Sequence, residues 1–227
     1  MSRYPYLLFD ADDTLFDFSA ANHNAFAQVC RHCGLTYTEE LYEHYESINA
    51  PLWQQLNRGE VTKEWLVVER FRRFLSEVGV DADPAECNRI QLAGLGSSSV
   101  LFPEALEVVQ TLAKTHKLYI VTNAVASVQR ARLAASAIAP YITAAFISEE
   151  AGAAKPSKAY FDYVMERIDG ITSDNCLVIG DSLTSDIQGA VNAGLPACWY
   201  NPKGNPRPAD LPIDYEICNL RQLYDIV

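Results

Sequence analysis

The stretch VIGDSLTSD, Val178 to Asp186, runs from apolar residues into a polar tip. With Leu177 it reads as a short buried strand, Leu177-Val178-Ile179, that ends at Gly180-Asp181 and is followed at once by a helical pattern from Ser185 to Ala193, capped by Gly194. Two chemistries fit the tip. Gly180-Asp181-Ser182-Leu183 matches the signature of a serine esterase, with Ser182 as nucleophile. Alternatively, Asp181 and Asp186 carry the chemistry and Ser182 is a bystander.

Working outward, three more apolar runs end in polar residues: Tyr6-Leu7-Leu8-Phe9 before Asp10, Leu118-Tyr119-Ile120-Val121 before Thr122, and Ala197-Cys198-Trp199-Tyr200 before Asn201. Helical spacing fills Pro103 to Ala113, Ala126 to Ala137 and Ser157 to Ile168, while Ser148 to Ala154 reads as irregular. Asn201 to Pro212 reads as a surface loop before a final strand and helix. Strand alternating with helix predicts an α/β protein, a Rossmann-like doubly wound parallel sheet with ligands beyond the carboxyl ends of its strands. The polar residues at three strand ends are therefore expected at one site.

Between Phe18 and about Gln91 the pattern is helix after helix. This is an inserted α-helical cap, reached through Leu15 to Phe18 and left through Gly94-Leu95-Gly96-Ser97-Ser98-Ser99, a composition expected to form a flexible hinge. The expected division is a core of residues 1–16 and 97–227 and a cap of residues 17–96. The 227 residues are 49% hydrophobic and carry a net charge of -11, which disfavours a nucleic acid polymer as partner and leaves room for a small anion met by local cations. No apolar run approaches a membrane span, and no signal segment precedes the first strand, so a cytoplasmic protein is expected. The six cysteines are expected to be reduced thiols, including the Cys30-Arg31-His32-Cys33 pair, which lacks a second pair to complete a zinc site.

The esterase reading fails on its base. All four histidines, His23, His32, His44 and His116, precede Ser182, and none has Asp three places before it. Asp10-Ala11-Asp12-Asp13-Thr14 opens like a calcium loop, but the sixth place, which needs Gly, is Leu15. Taken singly, Thr122-Asn123 is a helix cap and Lys155 a surface lysine.

Taken in order, Asp10-Ala11-Asp12-Asp13-Thr14-Leu15, Thr122-Asn123, Lys155-Pro156 and Gly180-Asp181-Ser182-Leu183-Thr184-Ser185-Asp186 resemble the four motifs of the haloacid dehalogenase superfamily, with the helical insertion of its type 1 caps. Ala124 stands where many members have Gly. The resemblance implies a phosphomonoesterase working through an aspartyl-phosphate. Asp10 is the implied nucleophile and Asp12 the general acid and base, a carboxyl that the halide-displacing members lack. Mg²⁺ is the implied cofactor, held by Asp10, Asp181 and the backbone carbonyl of Asp12. Thr122, the Asn123 N–H and Lys155 are the implied phosphate ligands, and Asp186 orients Lys155 or a metal-bound water. Cap segments Asn49 to Trp53 and Gly59 to Thr62, with Phe16 to Phe18, are similar to those of bacterial pyrimidine 5'-nucleotidases. That implies a nucleoside monophosphate as the small phosphorylated metabolite, with Trp53 and Asn49 as cap contacts, in a monomer or homodimer. Within the same resemblance, a sugar-phosphate phosphatase, a phosphomutase and a catalytically idle regulatory module stand as alternatives.

Overall fold

The structure, a computed structural model, describes residues 3–227. The Cα framework separates into two compact units, one running to Phe18 and again from Ser99 to Val227, the other Ser19–Ser98.

The first unit contains, in chain order, β1 (Tyr6–Phe9), α5 (Ala105–Leu112), β2 (Lys117–Thr122), α6 (Ala126–Ala135), β3 (Ile142–Ile147), α7 (Ser148–Ala151), α8 (Lys158–Met165), β4 (Cys176–Gly180), α9 (Gln188–Ala193), β5 (Ala197–Tyr200) and β6 (Tyr215–Ile217). Among the described residues the strands form one six-stranded parallel sheet in the order β3-β2-β1-β4-β5-β6. Each strand residue alternates between faces, so a strand covered on both sides must be apolar throughout. Leu7 and Phe9 of β1 join Leu118, Ile120, Leu177 and Ile179 in a core under α5, whereas Leu8 joins Tyr119, Val121 and Val178 in a second core under α8 and α9. The chain winds outward from β1 in one direction through β2 and β3, then crosses to β4 on the other side. The order thus reverses at β1, and the sheet opens a crevice at the carboxyl ends of β1 and β4.

In this unit three details differ from the sequence expectation. β3 has no counterpart there: it is an edge strand whose Thr143 and Ala144 are exposed, so it lacks the continuous apolar run of its neighbours. Ser148 to Ala151, expected to be irregular, is the one-turn α7. The helix expected from Ser185 begins as a π-turn over Leu183–Ile187, capped by the Ser182 hydroxyl, before α9.

The second unit is helical: α1 (Phe18–His32), which begins at the last residue of the first unit, α2 (Glu39–Asn57), α3 (Lys63–Val78) and α4 (Pro84–Ser97). Thr38, Thr62 and Asp83 cap the starts of α2, α3 and α4 through side-chain oxygens. Phe26, Tyr45, Phe71 and Phe74 form its buried centre, with the Tyr45 ring stacked between Phe26 and Phe71. The expected flexible return link is helix as far as Ser97. Gly94 is there for proximity: a Cβ on it would sit 2.9 Å from the Ala25 backbone on α1, so glycine lets α1 and α4 approach closely. Among the described residues no helix is long and apolar enough to cross a membrane.

Candidate functional site

A cavity of about 210 Å³ at the carboxyl ends of the strands is lined by Asp10, Asp12, Thr122, Asn123, Lys155, Asp181 and Asp186, together with Ser182 and Ser185. All the core residues singled out in the sequence thus meet at one place. Asp10 follows β1, Thr122 ends β2 and Asp181 follows β4. The loop after β1 is tight: Leu15 and Phe16 both donate N–H to the Ala11 carbonyl, and Asp13 turns the chain at φ 60°, a left-handed conformation that Asp tolerates better than most residues.

Lys155 is the centre of the charge arrangement. Its Nζ donates to Asp10 Oδ1 at 2.5 Å, Asp186 Oδ1 at 2.6 Å and the Val121 carbonyl at 2.8 Å, which engages all three ammonium protons. Its backbone is held as firmly, since Lys155 N–H donates to Asn123 Oδ1 and Asn123 Nδ2 donates to the Lys155 carbonyl. The Asn123 side chain therefore ties the β2 loop to the lysine. Burial opposes charge on Lys155, but Asp10 and Asp186 more than offset it and hold the ammonium above its ordinary range. Asp186 uses both oxygens, the second accepting the Ser182 N–H at 3.0 Å.

Burial also pushes the Asp10 carboxyl well above the usual carboxylate range. One ammonium shared between two carboxylates does not cancel the added repulsion of Asp186, Asp181 and Asp12. Asp181 is pushed up to about 7, first by burial and then by Asp186, although Thr14 Oγ1 donates to its Oδ1. Formally, four carboxylates face two cations, Lys155 and Arg132, an excess of two negative charges. Oxygens of Asp10, Asp181 and Asp186 lie within 4.8 Å of one another, a hard-ligand set suited to a divalent cation. Because both oxygens of Asp186 are already engaged, Asp10 and Asp181 are the better placed of the three to hold one.

Two participants escaped the sequence reading. Tyr160 on α8 accepts the Thr122 N–H and donates to the Phe146 carbonyl, which fixes the end of β2 where Thr122 lines the cavity. Arg132 on α6 donates from Nη1 to Asp12 Oδ1. The buried residues of α6 are Gln129 and Arg132, spaced i to i+3 where an apolar pair is the norm, so the polar face of the helix that turns inward was hidden from a reading by hydrophobic spacing.

Asn49 and Trp53 lie in the second unit, on α2. The indole Nε1 donates to Asn49 Oδ1 at 3.1 Å, Arg70 Nη1 donates to the same oxygen, and Asn49 Nδ2 donates to Glu46. Asn49 is thus engaged internally and orients Trp53, which stays half-buried, whereas Tyr42 and Tyr45 are core.

Residues 4–194 match the family of haloacid dehalogenase-like hydrolases. The HAD-hydrolase YfnB of Bacillus subtilis is 38% identical over 100% of this chain and 97% of its own length. A crystal structure of that protein bound to magnesium superposes with a TM-score of 0.94 over 99% of both chains. The pyrimidine 5'-nucleotidase PynA of Streptococcus pneumoniae is 33% identical over 98% of this chain and 94% of its own. The pyrimidine 5'-nucleotidase YjjG of Escherichia coli is 28% identical over 99% and 98%.

Proposed function

The chain belongs to the haloacid dehalogenase-like hydrolase family, and from that premise we propose that it is a Mg²⁺-dependent phosphomonoesterase acting on nucleoside 5'-monophosphates, pyrimidine ones foremost. The observation that carries the reading is the buried Lys155 ammonium between Asp10 and Asp186, in a cavity that also holds Asp12, Thr122 and Asp181.

Asp10 is the nucleophile, its carboxylate aimed by Lys155 through Oδ1. Attack of the Asp10 carboxylate on phosphorus forms an aspartyl-phosphate and breaks the ester P–O bond. Asp12 gives its proton to the departing oxygen. In the second half Asp12 takes a proton from water, whose oxygen attacks the same phosphorus, freeing inorganic phosphate and regenerating Asp10. Proton transfer of this kind contributes typically ~10²- to 10⁴-fold, so much of the remaining acceleration falls to charge stabilisation. The Thr122 hydroxyl and the Asn123 N–H receive the phosphoryl oxygens. Lys155 acts chiefly by its fixed charge, since its protons are held by protein acceptors. Asp186 keeps the lysine in place.

Asp10, Asp181 and the Asp12 carbonyl would hold the Mg²⁺. When bound it offsets the two excess negative charges and so lets a dianionic phosphate approach. The pyrimidine preference is supported by similarity along the whole chain to two pyrimidine 5'-nucleotidases, with Trp53 as the aromatic surface for a base. The division into a cap domain of residues 17–96 and a core of 1–16 and 97–227 belongs to the same proposal.

Acid quenching during turnover followed by intact-mass measurement tests the mechanism. Wild type should gain one phosphoryl group and Asp10→Asn none; an adduct on Asp10→Asn would move the nucleophile elsewhere.

A further inference from the structure

We infer that Arg132 is a positioning residue that braces the Asp12 carboxylate for proton transfer to the leaving group. The inference rests on the reading of Asp12 as the acid and base and adds the group that aims it.

A buried arginine is rare unless something holds each part of it. Arg132 is 1% exposed. Its Nη1 donates to Asp12 Oδ1 and, at 3.2 Å, to Gln129 Oε1, one turn earlier on the same helix face. Its guanidinium lies over the Phe16 ring at 4.7 Å and near the Phe18 ring at 6.0 Å. Planar stacking on aromatics together with a directed N–H is what arginine offers and lysine does not. Two rings and one amide therefore fix the guanidinium, and the guanidinium fixes one oxygen of Asp12.

The chemistry needs such a brace. Asp12 is only part-buried and sits in a tight loop where Lys155, the obvious cation, is wholly engaged by Asp10, Asp186 and Val121. Proton transfer to a leaving oxygen needs hydrogen-bond reach and alignment, and a misplacement of about 1 Å costs roughly 10²-fold. Asp12 held through Oδ1 presents its other oxygen to the cavity. α6, which carries Gln129 and Arg132, begins at Ala126, shortly after the Thr122-Asn123 turn, so the helix that places the guanidinium follows directly from the phosphate loop.

The test compares kcat/KM for an alkyl phosphate, a nucleoside 5'-monophosphate, with that for 4-nitrophenyl phosphate. Both place the same phosphoryl group in the site, so losses of folding or phosphate binding cancel in the ratio. Nitrophenolate departs without a proton, whereas an alkoxide needs one. Arg132→Met should lower the alkyl-to-aryl ratio by about 10- to 100-fold. In an Asp12→Asn background the same substitution should leave the ratio unchanged. Arg132→Lys keeps the buried charge and should give an intermediate ratio, and it carries the test alone should the Met variant fail to fold. Wild-type turnover with an unchanged ratio in either folded variant, or a further drop on top of Asp12→Asn, overturns the positioning role. A wild type that releases phosphate from neither ester overturns the phosphatase reading and this inference with it.

Discussion

Gly180→Ala probes the charge arrangement through a single methyl group. Gly180 closes β4, and a Cβ built on it would lie 2.4 Å from Asp186 Cγ and Oδ2 and 2.6 Å from Asp186 Cβ. Carbon contacts are comfortable only beyond about 3.5 Å, so the Asp186 side chain must retreat by about 1 Å. It has nowhere to retreat without loss: it is 1% exposed, accepts from Lys155 at 2.6 Å and from Ser182 N–H at 3.0 Å. Overpacking of this kind costs about 1 to 3 kcal/mol, which lowers Tm by about 2 to 12 °C in a chain of this size. The larger effect is on chemistry. Lys155 loses one of its three anchors, and phosphate release should fall roughly 10²-fold. The control is Gly170→Ala, which has φ +80° and would press Tyr6 Oη, at the opposite end of β1 from Asp10. It should lower Tm by a comparable amount with kcat within about twofold of wild type, as destabilisation away from the site leaves the folded fraction competent. A folded Gly180→Ala protein with wild-type turnover refutes the reasoning, as does an equal loss in the control.

Other perturbations address separate parts of the account. Asp181 is raised to about 7 in the folded metal-free protein against about 3.9 in an unfolded chain, so its contribution to stability is full below about pH 4 and is lost as pH rises through 7. With EDTA present, Asp181→Asn should gain in Tm relative to wild type between pH 5 and pH 8; a constant difference would contradict the assigned electrostatics. Burial pushes the thiols of Cys176 and Cys198 up to about 12 and that of Cys30 up to about 11, whereas Cys218 is exposed. Disulfide reagent at pH 8 should label Cys218 first and reach Cys30, Cys176 and Cys198 only on unfolding, and fast labelling of the buried three would count against the core. Trp53→Ala should lower kcat/KM for pyrimidine nucleotides more than for 4-nitrophenyl phosphate, by about 10-fold or more if the indole stacks on the base; equal losses would remove Trp53 from recognition.

The central strands are legible in sequence because burial on both faces forces β1, β2, β4 and β5 to be apolar along most of their length. The edge strand β3 is not, since one end of it faces solvent and its alanines suit helix as well as strand. Gly94 misleads for a related reason: glycine signals a flexible link when read locally, yet here it allows two helices to touch, a fact held by Ala25 far along the chain. The site's carboxylates, Thr122 and Lys155 are legible through their order at strand ends. Arg132 and Tyr160 act through tertiary contacts to Asp12 and Thr122, and nothing within their own segments names those partners. Asn49 shows the converse, a residue marked by its motif whose polar atoms turn inward to Glu46, Trp53 and Arg70.

The central claim is that Asp10, aimed by Lys155 and served by a divalent cation, hydrolyses a small phosphate ester. Phosphate release from a panel of nucleoside monophosphates and sugar phosphates, with Mg²⁺, with EDTA and with Asp10→Asn, tests it most directly. The account predicts release that is highest for pyrimidine nucleotides and is abolished both by EDTA and by Asp10→Asn. Release that survives chelation or the Asp10→Asn change, or no release from any ester, would contradict it.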